Sequence, residues 1–448
     1  MQRLGNWFAE LSRRWVPDAF VFALLLTFAV YVLALVFGDH GPLQLVTDWY
    51  NGFWELLEFA MQMTLILVTG YALAASPPVR RGLERLADMP RGGASAVALT
   101  ALTAGLLGIL HWGLGLIAGA LLAREVASRA RQRGVRVHFP LVAAAGYVGL
   151  GIWHSGLSGS APLLVNTDGH FLQEQMGIVP LAETTLRPFN LVFVVVALVM
   201  IPLLLASMHP SAEEAEQIEA PEDGDGGQGG GVATEVRTSA TPAQRLAHSR
   251  LLVGLVVLAG LVFLVPFFVQ NGIIGLDINV LNFTFLIAGL AMHGTLSRYA
   301  SAVGDGARAA SGVIIQFPFY AGILGIMDAS GLVTVIAGWF VAISTPLTYP
   351  FWTMVSAAAV NFAVPSGGGQ WAVQGPVVVE ATKSLGIDMG TGVMAVAMGD
   401  QLTNMVQPFW ALPLLGITGL RVGDVLGYTA ALMIALFAVA AVSITFLS

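Results

Sequence analysis

The stretch Asn361–Ala381, NFAVPSGGGQWAVQGPVVVEA, sets Pro365, Ser366 and three consecutive glycines, Gly367 to Gly369, between two strongly apolar runs. Non-helical backbone at membrane depth survives only inside protein or against a wet cavity, since each unpaired peptide group in lipid costs several kcal/mol. PSGGGQW must therefore face something polar. The free N–H groups of a helix start, carrying about half a positive charge, suit an anion. Gly367, Gly368 and Gly369 permit close backbone approach, while Ser366, Gln370 and Gln374 add hydrogen-bonding groups beside Trp371. A glycine-rich helix-packing face is the alternative, although three adjacent glycines do not make the small-xxx-small spacing.

That a membrane is the solvent follows from composition. The 448 residues are 56% hydrophobic and only 10% charged, with a mean hydropathy of +0.77, far from a soluble globule with about a quarter of its residues charged. The net charge of -7 is concentrated in one polar stretch, Ser207–Arg250, which holds Glu213, Glu214, Glu216, Glu219, Glu222, Asp223, Asp225 and Glu235. Elsewhere the balance is near neutral, which gives no support to nucleic-acid binding. The absence of cysteine removes thiolate catalysis, disulfides and Cys-ligated metals.

A crossing needs about 20 apolar residues. The runs Ala19–Phe37, Phe53–Ala75, Pro140–Val165, Pro188–Ala206, Leu251–Val269, Ile278–Met292, Ala309–Met327, Gly392–Leu415 and Val425–Phe446 give about nine transmembrane helices. The first is too long for a signal-peptide core and is expected to be retained. Two further segments are broken: Ala94–Leu122 at GILHWGLG (Gly108–Gly115), and Tyr349–Val379 at PSGGGQ. Each divides into arms expected to be too short to cross, as in a re-entrant hairpin. Basic clusters at Arg13/Arg14, Arg80–Arg91, Arg124–Arg136, Arg245/Arg250 and Arg298/Arg308 mark cytoplasmic loops and a cytoplasmic N-terminus. No lysine or arginine lies between Arg308 and Lys383, so the two broken segments are expected to dip in from opposite faces.

That asymmetry predicts two inverted repeats. MQMTLILVTGYALAAS (Met61–Ser76) aligns with IQFPFYAGILGIMDAS (Ile315–Ser330) at an offset of 254. HWGLG from His111 lies over SGGGQ from Ser366 at 255, and PLLVNT (Pro162–Thr167) over PLLGIT (Pro413–Thr418) at 251. The repeats are residues 1–206, with a hairpin at 94–122, and 278–448, with a hairpin at 349–379. An acidic, glycine-rich cytoplasmic linker (207–250), expected to be disordered, and a connecting helix (251–269) join them. Inverted repeats with discontinuous helices mark secondary transporters that hold substrate near the bilayer midplane.

His111, Trp112 and Gly113 form the first tip; a lone histidine there is either a ligand group or a structural hydrogen-bonder. Each half also interrupts its next span, at WHSGLSGSAP (Trp153–Pro162) and DQLTNMVQPFWALP (Asp400–Pro413), placing Ser155, Ser158 and Ser160 opposite Asn404 and Gln407. Freed carbonyls there, with Ser160 or Asn404 oxygens, could coordinate Na⁺; a satisfied kink is the other reading. Asp400 is the one acid placed well inside a span, able to bind a cation, carry a proton or cap a half-helix. With no basic residue in either broken segment, an anion must be held by dipoles and hydrogen bonds. This suits a small monocarboxylate, with Trp112, Trp153, Trp371 and Trp410 available to wall a short tail.

The chain resembles the bacterial short-chain fatty acid transporter family of the AtoE type, within an ion-transporter superfamily. The motifs that carry the likeness are RWVPDAFVFALLLT at Arg14, NGFWELLEFAMQM at Asn51, LVTGYALA at Leu67, WGLGLIAGALLAREVA at Trp112, QFPFYAGI at Gln316, NFAVPSGGGQWAVQGP at Asn361 and NMVQPFWALP at Asn404. The resemblance implies an all-α polytopic fold with paired re-entrant hairpins, an elevator-type architecture and a homodimer. It also implies a bacterial inner-membrane carrier of butyrate- or acetoacetate-class anions driven by H⁺ or Na⁺. Ser366–Trp371 and His111–Gly115 would be its two tips. An intramembrane hydrolase is disfavoured, since HExxH, GxSxG and cysteine are all missing; a channel would call for pore-lining rings rather than paired broken hairpins.

Overall fold

The computed structural model describes residues 19–218 and 241–448, and every regular element among them is helical. The first series comprises α1 (Ala19–Phe37), α2 (Pro42–Gly52), α3 (Leu57–Ala74), α4 (Pro77–Ala87) and α5 (Gly93–Leu110). It continues with α6 (Trp112–Gln132), α7 (Phe139–Tyr147), α8 (Ser160–Val165) and α9 (Pro188–Ser207). After α10 (Arg250–Asn271) come α11 (Ile278–His293), α12 (Leu296–Ala309), α13 (Ser311–Ala329), α14 (Leu332–Ile343) and α15 (Tyr349–Asn361). The chain ends with α16 (Gly367–Leu385), α17 (Met389–Asn404), α18 (Pro408–Thr418) and α19 (Val422–Phe446).

Local chemistry sets many of these boundaries. Proline opens α2, α4, α7, α9, α15 and α18 within the first two helical positions, where its missing N–H costs nothing. Asp277 and Asp388 cap α11 and α17 by accepting from Val280 N (2.7 Å) and Thr391 N (3.2 Å). Among the described residues, seven helices are long and apolar enough to cross a membrane: α1, α3, α5, α9, α10, α13 and α19. Phe28, Leu203 and Val262 on three of them are exposed, as lipid-facing side chains are. The α1 boundaries coincide with the expected run, whereas the two interrupted spans resolve into short helices separated by irregular backbone. The structure departs from expectation at α5, whose 18 residues run unbroken and are long enough to cross alone.

The same sequence of elements occurs twice, α1–α9 and α11–α19. The two series interlock: α2 packs on α13, and α12 on α3. At the matching positions, Gly52 lies against Gly325, and Gly306 against Val68 and Tyr71. The short amphipathic α2, α4 and α12 and the short apolar α14 fall outside the nine expected spans, because each is too short or too polar to read as a crossing. The core is tight where backbones cross. A Cβ on Gly119 of α6 would stand 2.1 Å from Gly146 O of α7, and one on Gly146 2.5 Å from Gly119 O. Gly119→Leu is therefore expected to destabilise the fold by about 1–3 kcal/mol or more, lowering the thermal midpoint of the purified protein in detergent by several degrees.

The expected linker is not uniformly free. Phe139 N donates to Glu216 O (2.8 Å), Glu216 N to His138 Nδ1 (3.1 Å) and Arg136 to Ala212 O (3.1 Å). Residues up to 218 are thus docked on the basic end of α6 and the start of α7, where cationic side chains and free helix-start donors meet carbonyls. Pro242–Ala247 forms a short helix. The glycine-rich part of the linker (219–240), with Arg13/Arg14 and the first five residues of the motif at Arg14, lies outside the described residues.

Candidate substrate and coupling site

Both breaks are built alike. His111 ends α5 and caps α6 with extended backbone (φ −162°, ψ 114°), its Nδ1 accepting from Leu114 N at 3.3 Å. Ser366 caps α16 with φ −149° and ψ 114°, its Oγ accepting from Gly369 N at 3.3 Å. A side-chain acceptor at the first position thus satisfies one otherwise orphaned N–H in each helix start.

The breaks converge on a small cavity of about 20 Å³, room for about one water. Its polar lining is Trp112, Trp153, Ser160, Ser366, Asn404 and Trp410. Gly367, Met63, Leu150 and Val313 complete it. Two of the polar side chains are committed: Ser366 to its cap, and Trp410, whose Nε1 donates to Pro365 O at 2.8 Å. The other four each leave a buried polar atom without a partner, namely Trp112 Nε1, Trp153 Nε1, Ser160 Oγ and Asn404 Oδ1. Unpaired buried polar atoms are uncommon, and here four of them belong to residues that line one small cavity.

Behind the cavity runs a hydrogen-bonded seam between the halves. Asp400, fully buried on α17, receives His154 Nδ1 at 2.7 Å on one carboxylate oxygen and Asn361 Nδ2 on the other. His154 Nε2 accepts from Ala161 N at 3.0 Å, so the ring is a neutral imidazole with its proton on Nδ1. The carboxylate is therefore held by neutral donors, and among the described residues no lysine or arginine lies within ion-pair distance of it. Asn361 is the hub. Its Oδ1 accepts from Thr403 (3.0 Å) and Gln407 (2.8 Å), and its Nδ2 reaches Gln370 Oε1 (3.1 Å). Gln370 continues to Ala357 O (2.8 Å) and Gln374 (3.0 Å), and Gln374 to Ser356 (2.8 Å).

The expected site residues thus divide. Trp112, Ser160, Ser366, Gly367 and Asn404 line the cavity. Gln370, Gln374 and Gln407 brace Asn361, Ser155 pairs with Gln401 through bonds of 3.1 and 2.9 Å, and Ser158 Oγ accepts from Trp112 N at 2.9 Å. His111 and Gly113 sit behind Trp112, the His111 ring 4.0 Å from that of Phe285. Trp371 is fully buried away from the cavity. Gly368 and Gly369 are used in packing: a Cβ would come within 3.0 Å of Phe59 and 2.6 Å of Tyr320. His154 and Asn361 were not singled out from sequence, since a histidine and an asparagine in apolar runs carry no spacing signal. The one sequence signal for His154 is its place within the interrupted motif WHSGLSGSAP.

A family model described as Short chain fatty acid transporter matches residues 1–447. The chain belongs to the short-chain fatty acid transporter family. It is a multi-pass membrane protein and a transporter rather than an enzyme, as expected from its motifs. Among its relatives, a protein of Escherichia coli (strain K12) provisionally named a short-chain fatty acid transporter is 39% identical over 429 residues, covering 95% of each chain. A protein of Haemophilus influenzae (strain Rd) with the same provisional name is 37% identical over 439 residues, covering 96% of each. The solved structure of the Alcanivorax borkumensis YdaH transporter, described as having an unusual topology, superposes with a TM-score of 0.60 at 18% identity, covering 96% of this chain and 98% of that one. This likeness extends to the fold alone.

Proposed function

We propose that this family member is a secondary active carrier moving short-chain fatty acid anions of the butyrate and acetoacetate class across the bacterial cytoplasmic membrane, driven by a H⁺ or Na⁺ gradient. The observation that carries the proposal is the cavity between the two helix breaks, lined from both series and rich in unpaired polar atoms, with no basic residue among its walls. A site of this kind pays for one small charge with hydrogen bonds and a helix start, and has nothing for a second. The void is too small for a four-carbon acid, so transport requires a wall to move. Alternating access between two inverted repeats, α1–α9 and α11–α19, with elevator-like displacement of the hairpins in a homodimer, supplies that movement. Asp400 is the coupling group, because a buried carboxylate held only by neutral donors is stabilised by an arriving cation.

Reconstituted uptake of labelled butyrate with imposed pH or Na⁺ gradients tests this. Saturable accumulation above equilibrium is expected under one of the two gradients. Downhill flux alone would make the protein a channel, and no flux of any short monocarboxylate would remove the substrate class.

A further inference from the structure

The four unpaired atoms around the cavity have a chemistry of their own. Trp112 and Trp153 carry indole N–H groups, which can only donate. Ser160 makes no hydrogen bond with its hydroxyl, and no internal bond fixes the Asn404 amide, which can turn its NH₂ inward. All four residues are at least nine-tenths buried, with exposures of 4%, 4%, 0% and 1% in that order. Gly367, at the start of the 19-residue α16, adds the positive end of a helix dipole beside them. The rings hold one another in place: Trp112 lies 5.7 Å from Trp153 and 5.5 Å from Trp410, while Trp153 stacks on His154 at 4.3 Å.

We propose that these groups form a charge-neutral donor cradle for a single carboxylate head, with Trp112, Trp153, Ser160 and Asn404 as its donors. This rests on the carrier reading above and names how that carrier recognises its substrate. An isolated carboxylate loses its water on entering such a site, and several hydrogen bonds to the anion replace it without a lysine or arginine. Neutral donors hold the head loosely enough for release on the other side. The cradle rejects a neutral amide, whose NH₂ meets donors with a donor. It also rejects a dicarboxylate, whose second charge would face the apolar walls of Met63, Leu150 and Val313.

The test is calorimetric binding of butyrate, butyramide and succinate to the purified full-length protein in detergent, with the same ligands as competitors of labelled butyrate uptake. Butyrate is expected to bind, with butyramide at least about tenfold weaker and succinate not competing. Ser160→Ala and Trp153→Phe, each checked for an unchanged thermal midpoint, are each expected to weaken butyrate binding by about tenfold or more, the size of one hydrogen bond to a charged group. Trp153→Phe keeps the ring stacked on His154 while removing the N–H. Both variants folding normally with wild-type affinity, or butyramide matching butyrate, would overturn the cradle while leaving the carrier intact. Failure of the wild-type protein to bind or transport butyrate would overturn both.

Discussion

Asp400→Asn is expected to abolish concentrative butyrate uptake while downhill exchange persists. The wild-type carboxylate takes one hydrogen bond on each oxygen, from His154 Nδ1 at 2.7 Å and from Asn361 Nδ2. The amide has the same shape but one acceptor atom in place of two, so either His154 or Asn361 faces its NH₂. An unsatisfied buried donor costs about 1–3 kcal/mol, and the negative charge that attracts the coupling cation is lost. Asp400 lies one helical turn before Asn404 on α17, and its partner His154 follows Trp153; both Asn404 and Trp153 line the cavity. On the proposed coupling role, a cation arriving at Asp400 would thereby be felt at the cavity. Exchange of labelled for unlabelled butyrate, measured beside gradient-driven accumulation in the same proteoliposomes, separates the two functions. Unchanged accumulation in the variant would remove Asp400 from coupling.

The second large effect is expected at the tip of α16. A Cβ on Gly367 would stand 2.6 Å from the Trp153 ring and 2.7 Å from that of His154, and the rings are themselves stacked. Gly367→Leu must therefore push the tip away from both the cavity wall and the Asp400 partner. Overpacking of this kind costs about 1–3 kcal/mol, so uptake should fall by at least about tenfold. Gly416→Ala, where a Cβ meets nothing within 4 Å, should transport as the wild type does. Normal uptake by Gly367→Leu would mean that the tip does not contact substrate or its coupling group in any state of the cycle.

The glycines of the opening stretch show where legibility ended. Their presence at a helix break was readable, and so was the matching break at His111, because caps and breakers act within a few residues of themselves. What each glycine approaches was not readable. Two of the three meet the rings of Phe59 and Tyr320, hundreds of residues or dozens of residues away in sequence, and only Gly367 reaches the cavity. Asn361 begins the same stretch, and nothing local marks it as the residue that binds Asp400, Thr403, Gln370 and Gln407 at once.

By itself the sequence determined the solvent, the all-helical class, the ends of most long helices and the position of both breaks. These follow from apolar run length, proline and glycine placement and capping side chains, all of which are local. The tertiary structure alone decided which polar residues meet. His154 and Asp400 lie 246 positions apart, and a buried polar group finds its partner through the packing of whole helices, which no spacing along the chain records. For the same reason Ser155, Ser158 and Ser160 looked equivalent in one short motif, yet packing spends the first two on internal bonds and leaves the third unpaired at the cavity.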